Sequence, residues 1–148
     1  MKAKNVLLMA IVLLGMTVSN CKKEKIKGCM DKDSKNYNSA AEESDGSCKF
    51  EGSVVFWYNQ ATSTFLVGDG ATALTYYVNG AVVGSSATSV YYPSAPNCGQ
   101  SASITVTKDL GSDKTKSYSY SVKDQTGFEY YSGNVTISAN TCLKLELN

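Results

Sequence analysis

Tyr76-Tyr77-Val78-Asn79-Gly80-Ala81-Val82-Val83 is two β-prone runs joined by a two-residue turn. Asn-Gly accepts the positive φ that a tight hairpin needs at both central positions, so this stretch predicts a β-hairpin turning at Asn79-Gly80. The same grammar extends downstream. Ser117, Ser119 and Ser121 alternate with Tyr118, Tyr120 and Val122. Asn134, Thr136 and Ser138 alternate with Val135 and Ile137, and Leu143, Leu145 and Leu147 alternate with Lys144 and Glu146. Such period-two patterns belong to sheets with one buried and one wet face. No window from Phe50 onward shows sustained helical periodicity. Strands are expected near 52–58, 73–79, 81–85, 101–108, 116–123, 129–138 and 142–147. Seven short strands at this spacing predict an all-β fold, a small antiparallel sandwich of immunoglobulin-like or transthyretin-like size over residues 50–148.

Upstream of Phe50 the composition changes. Residues 22–49 are charged and poor in large apolar side chains. Residues 1–20 differ again: Lys2 and Lys4 precede an apolar run from Val6 to Met16. That run falls short of the ~20 residues needed to span a bilayer, and a short apolar stretch behind a basic start reads as a secretory signal. The expected organisation is a signal peptide over 1–20, a lysine-rich tether over 21–27, a cysteine-bounded loop module over 28–48 and the sandwich over 50–148.

The chain has 148 residues, with 14 basic and 13 acidic side chains and no histidine. All the basic residues are lysines. Near-neutral charge gives no reason to expect a nucleic-acid partner. The lack of histidine removes the commonest general base and metal ligand, and the lack of arginine removes the bidentate fork for phosphate or carboxylate. No GxSxG elbow, P-loop or carboxylate pair suggests catalysis, so a non-enzyme is expected.

Five cysteines remain to be placed: Cys21, Cys29, Cys48, Cys98 and Cys142. The run Val18-Ser19-Asn20-Cys21 resembles the lipobox of bacterial lipoproteins, with Asn20 departing from the small residue usual before the cysteine. The resemblance implies lipidation of Cys21, and the tether Cys21-Lys22-Lys23-Glu24-Lys25 is similar to that of Bacteroidota lipoproteins. Such a protein is lipid-anchored at the outer membrane, facing the periplasm or the cell surface. In that oxidising setting four cysteines make two disulfides. Cys29–Cys48 and Cys98–Cys142 are expected, because each pair then lies within one compositional region.

Gly28-Cys29-Met30-Asp31, Asn36-Tyr37, Ala41 and Asp45-Gly46-Ser47-Cys48 resemble a repeat of secreted bacterial proteins, GC-x-D-x(4)-NY-x(3)-A-x(2)-DDGSC. Lys32, Ser34 and Ser44 depart from it. The resemblance supports secretion and a disulfide, and brings no activity. Asp31, Asp33 and Asp45 offer hard oxygens for a weak calcium site; the competing reading is that Asp and Asn cap turns. The order of Val54-Val55-Phe56-Trp57, Tyr77-Val78-Asn79-Gly80, Pro96-Asn97-Cys98-Gly99, Ser132-Gly133-Asn134-Val135-Thr136 and Cys142-Leu143-Lys144-Leu145 is similar to a β domain of uncharacterised Bacteroidota lipoproteins.

Ten tyrosines, six of them in three doublets, mark the chain. Neighbours on a strand point to opposite faces, so each doublet is expected to send one ring outward. Tyr77, Tyr92, Tyr131 and Trp57 are the expected rings of a ligand platform for a glycan or a protein; the competing reading is that aromatics simply suit strands. The function expected is a membrane-anchored, non-catalytic binding or adhesion module. The alternative is a structural or accessory subunit of an envelope complex with no ligand of its own.

Overall fold

The computed structural model describes residues 23–148. The expected signal segment and Cys21 lie outside the described residues. Nine strands and one helix follow in chain order: β1 Lys27–Gly28, β2 Glu43–Ser44, β3 Phe50–Trp57, α1 Gln60–Gly68, β4 Ala73–Val78, β5 Ala81–Ala87, β6 Ile104–Gly111, β7 Thr115–Asp124, β8 Glu129–Ser138 and β9 Cys142–Glu146. The two shortest, β1 and β2, pair with each other in the cysteine-bounded module. The other seven form a sandwich. A three-stranded sheet ordered β6-β3-β9 faces a four-stranded sheet ordered β5-β4-β7-β8.

The period-two pattern places the core. Val54, Phe56 and Tyr58 point inward from β3 and its exit, and meet Leu74, Tyr76 and Val78 of β4, Val122 of β7 and Val135 and Ile137 of β8. Phe56 sits at the centre, with ring centroids 5.7 Å from Tyr76 and 5.6 Å from Tyr120. The hairpin turn forms as expected, with φ of 51° at Asn79 and 76° at Gly80. The Asn79 side chain also accepts from the Ser119 backbone N–H at 3.0 Å, tying the turn to β7.

Two features depart from simple hairpin reading. The last strand, β9, pairs parallel with β3, Ser53 opposite Cys142 through Trp57 opposite Glu146. Every other pairing in the sandwich is antiparallel. The chain leaves β8 in one sheet, turns through Asn140 at φ 53° and enters β9 in the other. Gly52 lies beneath this crossing, and a Cβ there would overlap the Ser138 carbonyl oxygen.

The second departure is α1, a nine-residue helix where a loop is expected. Asn59 caps it by accepting from the Thr62 N–H at 3.1 Å. Only Ser63 and Leu66 of the helix are buried, so two positions one turn apart carry its attachment and leave too little pattern to detect. None of the helices among the described residues is long and apolar enough to cross a membrane.

Candidate functional site

Both expected disulfides are present, Cys29–Cys48 and Cys98–Cys142. The second holds the segment 88–103 across the outer face of the three-stranded sheet. Cys142 and Lys144 of β9 share that face with Ser53 and Val55. Asn97 accepts from Lys144 Nζ at 3.3 Å, and the Gly99 N–H donates to Thr105 Oγ1 at 2.9 Å. Thr105 and Lys144 flank Val55 on either side in the sheet. Val55 is thereby fully buried although it points away from the core, and Pro96 of the covering segment is buried too.

The proposed calcium ligands are not gathered. Asp31 and Asp33 converge on a cation, Lys114, at 2.6 and 3.5 Å. The Lys114 ammonium holds the Asp31 carboxyl below the usual carboxylate range. Asp45 instead accepts from the Ser47 N–H at 2.9 Å within its turn. Among the described residues no cluster of carboxylate, cysteine or histidine side chains is arranged to hold a metal. Asp31 also caps a turn by accepting the Asp33 N–H, as Asn38 does with the Ala40 N–H. Three ion pairs, Lys114–Asp31, Lys114–Asp33 and Lys35–Glu51, fasten the module to the sandwich.

The expected aromatic platform does not assemble as one surface. Tyr77 is on the outer face of the four-stranded sheet, opposite in sense to buried Tyr76 and Val78, with Lys123 Nζ 5.7 Å from its ring centroid. Trp57 is on the other side of the sandwich, on the outer face of β3, and its indole N–H is enclosed without a partner. Tyr92 belongs to the covering segment, where its hydroxyl donates to the Ser101 carbonyl at 3.0 Å. It meets Trp57 in a narrow crevice. Tyr131 points inward at the edge of β8, level with Val122 and packed on the core. The alternation that sends Tyr77 out is the same one that sends Tyr131 in, because the two strands present opposite parity to the core.

Of the four expected rings only Tyr131 borders the aromatic group that does come together, its ring centroid 6.4 Å from that of Tyr130. Phe65 of α1, Phe128 of the β7–β8 turn and Tyr130 of β8 line an open groove of about 560 Å³. Phe65 and Phe128 are each 61% exposed, well beyond what a buried-face residue shows. Their rings stand nearly perpendicular to that of Tyr130, at 86° and 77°, with centroids 6.4 and 5.0 Å away. Asp69 and Glu129 lie at the rim.

Local hydrogen bonds fix this geometry. Gln125 in the β7–β8 turn accepts the Thr72 N–H at 3.0 Å and donates to the Gly70 carbonyl at 3.0 Å, joining the turn to the exit of α1. Asp124 receives the N–H groups of Thr126 and Phe128, which shapes the turn that presents Phe128. The Tyr130 hydroxyl donates to Asp69 Oδ2 at 2.6 Å. That bond to a carboxylate raises the phenol to about 12.

The groove and the module occupy opposite ends of the sandwich. β3 starts beside the module at Phe50 and leads into α1 after Trp57. β7 starts next to Lys114, which holds the module, and ends at the Asp124 turn. Eight residues of β3 and ten of β7 span this separation, roughly 25–30 Å at about 3.3 Å per residue. Sequence reading placed one lining ring of the groove, Tyr131, and missed the others because they depend on α1; Asn59 as a cap and Phe65-Leu66-Val67 ahead of Gly68-Asp69-Gly70 are the signals that mark it. No protein-family model, curated protein or solved structure matches the chain.

Proposed function

We propose that this protein is a lipoprotein held at the outer membrane through Cys21, and that its sandwich is a non-catalytic binding or adhesion module engaging a ligand through the Phe65–Phe128–Tyr130 groove. The observation that carries this reading is the position of the groove. Exposed aromatic rings cluster at the pole farthest from the tether end, where an anchored domain meets partners rather than its own membrane. Contiguous exposed apolar surface of this kind marks interaction sites. The lipobox-like run before Cys21 and the two disulfides support the exported setting.

The test displays the full chain on vesicles and measures their capture by arrayed glycans and envelope proteins. Phe65→Ser with Phe128→Ser is expected to abolish capture while leaving the melting temperature unchanged. Cys21→Ala is expected to release the chain from the membrane without altering capture by the soluble form. Capture that survives the double substitution overturns the groove as the contact.

An accessory role in an envelope complex is the second reading. Strand β5 is an edge of its sheet and exposes Val82; an open edge of this kind is a surface onto which another chain can add a strand. Under that reading the protein co-purifies with a partner from gently solubilised membranes, and charged substitutions on β5, not in the groove, release it.

A further inference from the structure

The groove sets aromatic rings beside a carboxylate, Asp69, that has no cationic partner among the described residues. Phe65, Phe128 and Tyr130 present rings, whose faces carry the negative lobe of the aromatic quadrupole. The ionisable side chains of the lining besides the phenols are Asp69 and Glu129, both carboxylates. Glu129 is ion-paired with Lys123 at 3.8 Å, the lysine lying over the Tyr77 ring on the outer face of the sheet, so Asp69 carries the uncompensated charge of the rim. A flat sugar platform would set rings side by side; these meet at near right angles and form a corner. An aromatic corner edged by an unpaired carboxylate is complementary to an organic cation.

The rim narrows the choice of cation. Asp69 gives Oδ2 to the Tyr130 hydroxyl, which leaves Oδ1 without a partner among the described residues. A guanidinium reaches its full advantage through a two-pronged contact with both carboxylate oxygens, whereas an ammonium is a point charge that needs one. The high exposure of Phe65 and Phe128 shows that the corner is open above. It suits a side chain delivered from an overlying backbone better than a small molecule that must be enclosed.

We propose that the groove takes a lysine side chain from a partner protein, its aliphatic stem against Phe65 and Phe128 and its ammonium at Asp69. This rests on the reading of the groove as the binding surface. Held by Tyr130 and by the Gln125 links to the α1 exit, the corner is formed before the ligand arrives, so little ordering opposes binding.

The experiment titrates the full chain, in maltoside micelles and labelled on its phenylalanine and tyrosine rings, with the peptide acetyl-Gly-Lys-Gly-amide. A second titration uses the same peptide with the lysine Nε-acetylated, which keeps the stem and removes the charge. The expected result is movement of the Phe65, Phe128 and Tyr130 ring signals by the lysine peptide, with at least fivefold weaker binding of the acetylated one. Phe128→Ala and Asp69→Asn should each weaken the lysine peptide about two- to fivefold, the range set by one exposed cation–ring contact. Equal binding of both peptides overturns the cation proposal while the groove remains a binding surface. No ring movement with either peptide also overturns it, and vesicle capture by the arrays then decides separately whether the groove binds anything else.

Discussion

Replacing Cys98 and Cys142 together by alanine should remove more stability than any other pair of surface changes. The bridge closes a segment of 44 residues. Chain-entropy reasoning for a loop of that length gives about 4 kcal/mol at 25 °C. A second contribution follows from what the bridge holds down. Val55 is fully buried only because segment 88–103 lies over it, and returning a valine to water costs about 1.5–2 kcal/mol if the segment lifts. A combined loss of about 4–6 kcal/mol approaches the whole stability of an ordinary domain. At about 4 °C per kcal/mol for a domain of this size, the melting temperature should fall by roughly 15–25 °C. The assay is calorimetry of the oxidised full chain, with hydrogen exchange to locate the loss. The matched control replaces Cys29 and Cys48, which close only 19 residues. Within residues 23–49 the sole buried apolar residue is Cys29, so the control should expose the module's amides and leave the sandwich transition nearly in place. A Cys98→Ala/Cys142→Ala chain that melts within about 3 °C of the parent would refute the reasoning, and would mean that the Asn97, Gly99 and Tyr92 hydrogen bonds hold the segment unaided.

Phe56→Ala empties the centre of the core between Tyr76 and Tyr120 and should cost about 3–5 kcal/mol in denaturant unfolding; a loss below about 1 kcal/mol would place the core elsewhere. Gly52→Ala forces β3 and the Ser138 crossing apart and should cost about 1–3 kcal/mol, the usual penalty of overpacking; a neutral result would show that the crossing is slack. Alkaline difference spectra should show Tyr130 ionising near pH 12, because Asp69 favours the protonated hydroxyl. Its folded value lies above the ordinary 10.0, so its contribution to stability is complete below pH 10 and is lost as pH rises through 12. Asp69→Asn should move that titration back toward the ordinary range, and an unchanged titration would remove Asp69 as the cause. Intact mass of the chain from native membranes should begin at Cys21 and carry acyl mass, with four hydrogens gained on reduction; an unacylated mass would sink the lipoprotein reading.

What could be read from the residues alone was whatever local chemistry dictates. Asn79-Gly80 has one good use between two β runs, and it is a turn with positive φ at both positions. Alternation in Tyr118-Ser119-Tyr120-Ser121-Val122 can bury only one face, so strand and orientation come together. The four described cysteines pair within their own regions, as the change of composition between those regions led one to expect.

Tertiary structure decided the rest, for reasons of distance along the chain. The parallel pairing of β9 with β3 joins residues about ninety positions apart, and nothing local in Cys142-Leu143-Lys144-Leu145 distinguishes a parallel from an antiparallel neighbour. Val55 looks solvent-facing by its parity and is buried because a distant segment is stapled over it. Tyr131, expected outward, faces the core because the register of β8 against β7 sets its parity, not its own identity. The groove requires three connections to meet: the exit of α1, the β7–β8 turn and the first residues of β8. Each contributes a ring or an acid that reads as unremarkable in its own stretch. Only the Gln125 and Tyr130 hydrogen bonds, formed across 55 and 61 residues of sequence, turn them into one surface.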